Sequence, residues 1–298
     1  MKPETIRALF LEGATLLKRF PNHLLDARVL LLHAARLDER RFYSDPESPL
    51  PDRIAKSYRG LVRKRLAGWP VAYLTGRKEF RSLPFRVTPG VLIPRPETET
   101  LIDTVVGLAT SGRESILDLG TGSGNIAVAL ARELARARIT AVEISPRALQ
   151  VAVSNAAANG VPRVRFLRSD LFSAFKNGPA LFDIIVSNPP YVGRAAWSCL
   201  PREIRDHEPR LAVVGGEKGP EFIRRLVRRS AAFLKPGGHL AVEIGAGQKR
   251  AVLAMFGEEW DKILFVRDLG RIPRVVVARL AAGYRAGAIS GPRSRDHR

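Results

Sequence analysis

Four consecutive residues, Asn188-Pro189-Pro190-Tyr191, directly follow the apolar run Phe182-Asp183-Ile184-Ile185-Val186-Ser187. Prolines fix φ and carry no N–H, so this segment offers carbonyl oxygens with no competing donor on those residues. The Asn188 side-chain oxygen and the Pro189 carbonyl can then accept both hydrogens of a single –NH2 group, with Tyr191 as a flat surface beside a planar substrate. Such a grip suits methylation of an amide or an exocyclic amine, whose nitrogen lone pair is delocalised and poorly nucleophilic. Positioning and electrostatics carry most of that barrier reduction, and no strong general base is needed before transfer. Asn188, Pro189, Pro190 and Tyr191 are therefore the candidate catalytic residues.

Upstream, Ile116-Leu117-Asp118-Leu119 runs into Gly120-Thr121-Gly122-Ser123-Gly124-Asn125. The spacing is Gly-x-Gly-x-Gly, whereas a dinucleotide-binding turn has Gly-x-Gly-x-x-Gly. With Asp118 just ahead of the first glycine, the pattern suits S-adenosylmethionine better than a nicotinamide dinucleotide. Asp118, Gly120, Thr121, Gly122, Ser123 and Gly124 would hold its amino-acid end. Glu143 closes the next apolar run about 20 residues past the loop, where an acid accepts hydrogen bonds from ribose hydroxyls. In Ser169-Asp170-Leu171-Phe172, Asp170 can face the adenine amine and Leu171 can wall the ring, while Asn188 borders the same cofactor.

These residues need a scaffold that brings several loops to one edge. Short apolar runs at Ser115–Leu119, Ile139–Glu143, Val164–Leu167, Asp183–Ser187 and Leu240–Ile244 alternate with helical segments, which predicts a parallel sheet covered on both faces. Two late runs, Lys262–Val266 and Arg274–Ala278, are spaced as an antiparallel pair at a sheet edge. Ahead of them, Phe80, Leu83, Phe85, Val87, Val91 and Ile93 predict a β-hairpin, with Pro89-Gly90 as its turn signal. The first stretch reads as helices: Ile6, Leu9, Phe10, Leu16, Leu17 and Phe20 on one face, then Leu24–Leu37, a turn-rich Ser44–Asp52, and Arg53–Leu66. The expected organisation is a helical domain over 1–75, a hairpin linker over 76–96, an α/β domain over 97–282 and a basic tail over 283–298.

The chain has 298 residues, 45% hydrophobic and 26% charged, which suffices for a sizeable core and excludes a disordered polyelectrolyte. No apolar run is long enough to span a membrane, and the first twenty residues lack the apolar block of a signal peptide, so a cytoplasmic protein is expected. The single cysteine, Cys199, and five scattered histidines provide neither a disulfide scaffold nor a zinc site, and no metal is expected. The net charge is +20, and 39 of the 49 basic residues are arginine. They are spread along the chain without interleaved aromatics, so at most a weak, non-specific attraction to RNA or the ribosome is expected.

The sequence resembles the release factor glutamine methyltransferase family over nearly its whole length. Beyond the glycine loop and Asn188-Pro189-Pro190-Tyr191, the resemblance is carried by Val91-Leu92-Ile93-Pro94-Arg95-Pro96-Glu97-Thr98-Glu99 and by Pro70-Val71-Ala72-Tyr73-Leu74-Thr75-Gly76 with Glu79-Phe80. Glu208-Pro209-Arg210-Leu211-Ala212, Leu234-Lys235-Pro236-Gly237-Gly238 and Glu243-Ile244-Gly245 with Gln248 match as well. The resemblance implies a small helical substrate-recognition domain joined by a hairpin to a seven-stranded Rossmann-like class I methyltransferase domain. It implies methyl transfer from S-adenosylmethionine to the glutamine of the Gly-Gly-Gln loop in class 1 peptide chain release factors. A small two-domain enzyme docking a protein loop can work alone, so a monomer is expected. Two positions depart from the family: the ribose acid, usually Asp, is Glu143, and Leu171 stands where an aromatic is common. Arg95, Glu97 and Glu99 could contact the substrate loop or fix the linker through ion pairs; the structural role is favoured, and they are not counted among the site residues. The same acceptor grip also serves glutamine methylation of a ribosomal protein, or adenine N6 methylation of nucleic acid; a third reading is an RNA-binding protein with a relic cofactor site.

Overall fold

The computed structural model describes residues 4–175 and 182–284. The chain divides into two compact units, one of Met1–Lys78, Val87–Pro89 and Leu200–Glu208, the other of Glu79–Arg86, Gly90–Cys199 and Pro209–Arg298.

In the first unit, helices Ile6–Leu16, His23–Ala35 and Asp52–Leu66 pack around Ile6, Leu9, Leu17, Leu30, Leu31 and Tyr58, all fully buried. The opening helix is shorter than its apolar pattern suggests. It stops at Leu16, which is half exposed, and Gly13 and Ala14 take the place expected of that side chain in the core. Gly13 is required there because a methyl group would overlap the Tyr58 hydroxyl. The turn-rich segment also holds structure: a helix at Glu39–Ser44 runs into it, and Pro49–Leu50 pairs antiparallel with Glu4–Thr5. Arg65 is buried under the Phe20 ring, 4.0 Å from its centroid, and bonds Asp26 at 2.8 Å and Glu203 at 2.6 Å. That pairing is how a buried guanidinium remains tolerable.

The second unit is built on a seven-stranded sheet. Its strands, numbered within the sheet, are β1 (Ser115–Leu119), β2 (Arg138–Glu143), β3 (Arg165–Arg168), β4 (Phe182–Ser187), β5 (Leu234–Glu243), β6 (Trp260–Arg267) and β7 (Pro273–Leu280). The order across the sheet is β6-β7-β5-β4-β1-β2-β3, with β1 to β5 parallel and β7 pairing antiparallel with both β5 and β6. The expected parallel sheet with an antiparallel edge pair is thus present. Its apolar runs are continuous because both faces are covered. Ile116, Ile184, Val186 and Ala241 enter one core layer, whereas Leu117, Leu119, Ile185, Leu240 and Val242 enter the other. β5 starts earlier than expected, at Leu234, and its register shifts before His239 as the chain passes Pro236-Gly237-Gly238.

The hairpin pairs Arg77–Phe80 with Leu83–Arg86. Its turn lies at Arg81-Ser82, both at positive φ, and not at the expected Pro89-Gly90. Three carboxylates hold Arg81 in that conformation: Asp103 at 2.7 Å, Glu133 at 3.0 Å, and Glu99, which accepts its backbone N–H at 3.3 Å. Asn155 and Asn159, on the helix Pro146–Ala158 and at its end, tie down the strand through Arg86 and Pro84. Residues 285–298, most of the expected tail, lie outside the described residues. Among the described residues, no helix is long and apolar enough to cross a membrane.

Candidate active site

After β1 the chain runs to β2 and β3 on one side, then returns to β4 on the other, so the strand order reverses between β1 and β4. The carboxyl ends of strands at such a reversal are where an open α/β sheet forms a crevice. A cleft of about 470 Å³ opens there, lined by residues that include Gly120, Gly122, Glu143, Leu171, Asn188 and Pro189. Ser187, closing β4, donates to the Leu119 carbonyl closing β1 at 2.7 Å and locks the two strand ends together.

The glycine loop is tied to its own surroundings. The N–H groups of Gly120 and Thr121 both donate to the Val142 carbonyl, that of Gly122 donates to Glu143 Oε2 at 3.0 Å, and that of Gly124 to the Thr121 carbonyl. A pyrophosphate loop instead points its N–H groups at the ligand, so this loop does not suit a dinucleotide. Glu143 accepts a second N–H, from Ser145, on Oε1 at 2.9 Å. Ser145 in turn caps the helix Pro146–Ala158 by accepting the Ala148 N–H. Asp118 is fully buried beneath the loop: Oδ2 accepts the Thr121 hydroxyl at 2.6 Å, and Oδ1 has no hydrogen-bond partner. Burial is the main cause pushing its carboxyl up to about 7, with Glu143's negative charge adding to it and the Thr121 hydrogen bond opposing.

S-adenosylmethionine fits this donor set. Gly120 and Gly122 sit at φ +74° and +56°, and a Cβ at either would meet only open space, so the backbone itself forms the cleft wall. An orphaned buried carboxylate oxygen suits a cationic ligand, and Glu143, fixed by two N–H groups, keeps lone pairs for hydroxyls. Ser169 fixes the opposite wall by bonding the Leu171 carbonyl and the Ala174 N–H, which leaves Asp170 and Leu171 against the cleft. Leu171 itself adopts φ +51°.

The acceptor motif is held from behind. Asn188 Nδ2 donates to Thr98 Oγ1 at 3.0 Å, and the Thr98 hydroxyl donates to Glu243 Oε2 at 2.7 Å. Gln248 donates from Nε2 to the Tyr191 carbonyl at 2.7 Å and accepts the Gly245 N–H. Gly215 approaches Pro190 so closely that a Cβ would lie 2.2 Å from its carbonyl oxygen.

Most of the expected site residues therefore gather in one cleft: Gly120, Thr121, Gly122, Ser123, Glu143, Asp170, Leu171, Asn188, Pro189 and Pro190 all line it. Three do not. Asp118 lies beneath the loop, Gly124 faces Ala152, whose Cβ would be 3.0 Å from an added Cβ, and Tyr191 packs into the core with its ring against Gly245. Burial pushes the Tyr191 hydroxyl up to about 12. Tyr191 is partly buried, with its ring edge beside Gly245. Thr98, Glu243 and Gln248 support the site; the segments that carry the resemblance contain all three, but no role was expected of them. Ile144, apolar yet exposed beside Glu143, and the pair Gly215-Gly216 were the available signals for further lining residues.

Two family models match the chain: the PrmC N-terminal domain over residues 8–76 and the methyltransferase small domain over 97–203. Among curated proteins, a release factor glutamine methyltransferase from Koribacter versatilis is 44% identical over 87% of this chain and 92% of its own length. One from Geobacter sulfurreducens is 40% identical over 94% of this chain and 99% of its own. Among solved structures, the hMettl16 catalytic domain aligns with a TM-score of 0.53 at 16% identity, over 68% of this chain and 77% of that one, a likeness of fold alone. With relatives of this identity spanning nearly their full length, the chain belongs to the release factor glutamine methyltransferase family.

Proposed function

We propose that this chain methylates the side-chain nitrogen of the glutamine in the Gly-Gly-Gln loop of class 1 peptide chain release factors, using S-adenosylmethionine. Asn188 and Pro189 grip the amide; Gly120 to Ser123, Glu143, Asp170 and Leu171 seat the cofactor, with Asp118 acting from beneath the loop. The helical unit serves recognition of the release factor. The observation that carries this reading is the pairing of Asn188 with Thr98. It turns the nitrogen end of the asparagine amide toward Thr98 and so leaves the oxygen, an acceptor, for a substrate at the edge of the cleft that Glu143 lines.

The cofactor, when bound, supplies a methyl group made electrophilic by its sulfonium. The protein's task is to hold a weak nucleophile in line with it. Asn188 Oδ1 and the Pro189 carbonyl would accept both amide N–H bonds, fixing the plane of the glutamine amide and raising electron density on its nitrogen. The same two acceptors would stabilise the positive charge that grows on the amide nitrogen as it takes up the methyl group. One N–H proton then passes to solvent, so the protein needs no base poised for abstraction.

The test is methyl transfer from labelled S-adenosylmethionine to purified release factor, to the same factor with its loop glutamine changed to alanine, and to adenine-containing DNA and RNA. Label on the unmodified factor alone is the expected result. Label on nucleic acid and not on the factor overturns it.

A further inference from the structure

An asparagine amide has two ends, and only its oxygen can accept an N–H from a substrate. Behind Asn188 stand two buried residues, Thr98 and Glu243, each 1% exposed. We infer that Glu243 and Thr98 form a directional hydrogen-bond relay that keeps the Asn188 side-chain oxygen turned toward the substrate, which makes both of them positioning residues for methyl transfer. The inference rests on the reading of Asn188 as acceptor for the substrate amide.

The direction follows from donor and acceptor chemistry. An ionised carboxylate only accepts, so the Thr98 hydroxyl must give its one proton to Glu243 Oε2, at 2.7 Å. The Thr98 oxygen is then left as an acceptor, and only the Nδ2 end of Asn188 can satisfy it, at 3.0 Å. Reversing the asparagine would place two acceptors face to face. Stability alone does not account for this arrangement. Glu243 Oε1 has no hydrogen-bond partner, so a carboxylate has been buried with one hydroxyl bond to offset its desolvation, where an apolar residue would cost less.

The relay has a protonation state in which it fails. The charged and titratable groups around Glu243 are Arg274 on β7, Arg95 and Glu97 ahead of the helix Thr98–Leu108, and Tyr191 beyond β4. Arg274 is itself bonded to Asp268 at 3.1 Å. Burial outweighs these neighbours and pushes Glu243 up to about 7. Once protonated, Glu243 can donate to Thr98, whose hydroxyl can turn and donate to Asn188, and the asparagine is no longer held oxygen-outward. The rate at saturating substrates should therefore fall as pH drops below about 7.

Four variants of the full chain test this: Asn188→Ala, Thr98→Val, Thr98→Ser and Glu243→Gln. The readouts are kcat and KM for release factor, S-adenosylmethionine affinity by calorimetry, and the side-chain amide signal of Asn188 in 15N spectra, assigned by its absence in Asn188→Ala. Thr98→Val keeps the shape and removes the hydrogen bonds. Its kcat is expected to fall about 10- to 100-fold with cofactor affinity unchanged and the Asn188 signal moved. Thr98→Ser should restore both. Glu243→Gln, a neutral isostere of the protonated carboxyl whose Nε2 can donate to Thr98, should hold kcat near pH 8 down at the level of the native acid limb and lose that limb from the profile. Wild-type kcat in Thr98→Val, a loss matched equally in cofactor affinity, or an acid limb unchanged in Glu243→Gln overturns the relay. Should Thr98→Val fail to fold, the Glu243→Gln profile decides alone. Wild-type kcat in Asn188→Ala overturns the acceptor reading itself; activity lost in Asn188→Ala but kept in Thr98→Val overturns only the relay.

Discussion

Asp118 and Glu143 end neighbouring strands and carry the same charge, but their surroundings give them different work. Glu143 has each oxygen fixed by a backbone N–H, from Gly122 and from Ser145. Asp118 has one hydroxyl partner, no exposure and an unpartnered oxygen, and burial pushes its carboxyl up to about 7. A cationic ligand nearby favours the ionised form and draws that value down again. Binding of S-adenosylmethionine near pH 7 should therefore release a fraction of a proton, and affinity should rise between pH 6 and 8. Calorimetry in buffers of different ionisation enthalpy measures this directly. Asp118→Asn should weaken binding about tenfold and abolish both the proton release and the pH dependence. Wild-type affinity that stays level from pH 6 to 8 would rule out this role for Asp118.

At the scale of the element, the turn between β1 and the helix Asn125–Glu133 holds three glycines that look alike in sequence and differ in function. Gly122, at φ +56°, borders open cleft, whereas Gly124, at φ +83°, lies against Ala152. Alanine at either position strains the backbone by about 1 kcal/mol. At 124 the methyl group must also push the helix Pro146–Ala158 aside, while at 122 it enters the space offered to the cofactor. Gly124→Ala should thus lower the thermal midpoint by several degrees with a modest change in cofactor affinity. Gly122→Ala should weaken affinity at least tenfold with the smaller thermal effect. Thermal melts and calorimetry on the two variants check the separation, and equal profiles would refute it.

The alternation of strands and helices was legible because both faces of each central strand are buried, which leaves unbroken apolar runs such as Ile184-Ile185-Val186. The cofactor cleft was legible for a related reason, since loop, acid and Asn-Pro-Pro segment each follow one of those runs. Illegible were features decided by side-chain packing across the fold. The Tyr191 ring lies beside Gly245, Gly13 lets Tyr58 approach while Leu16 stays half exposed, and three carboxylates hold Arg81 at the hairpin turn. Thr98 belongs to a segment that carries the resemblance, but its role is visible only when β4 and β5 bring Asn188 and Glu243 to it.

For the molecule as a whole, two sets of carboxyl groups set opposite pH dependences. Arg279's hydrogen bond holds Asp261 below the usual carboxylate range, and the Ile272 N–H does the same for Asp268. Such groups stabilise the fold above their unfolded pKa values and cease to as pH falls through their folded ones. Asp118 and Glu243, raised by burial, do the reverse: their contribution is complete below about pH 4 and is lost as pH rises through about 7. Each accounts for on the order of 3 kcal/mol once fully ionised without a ligand. The unfolding transition that responds to S-adenosylmethionine, and so reports on the unit holding the cleft, should have its highest midpoint near pH 4 to 5 in the absence of cofactor. By pH 8 it should have dropped about 5–15 °C. In the double variant Asp118→Asn/Glu243→Gln that decline should largely disappear, and in the native chain saturating cofactor should reduce it, because a bound cation repays the charge on Asp118. Differential scanning calorimetry across pH 5 to 8 supplies all three curves. A native midpoint that rises over that interval, or a double variant that declines as steeply as the native chain, would mean that the two carboxyls are ionised at little cost inside the fold.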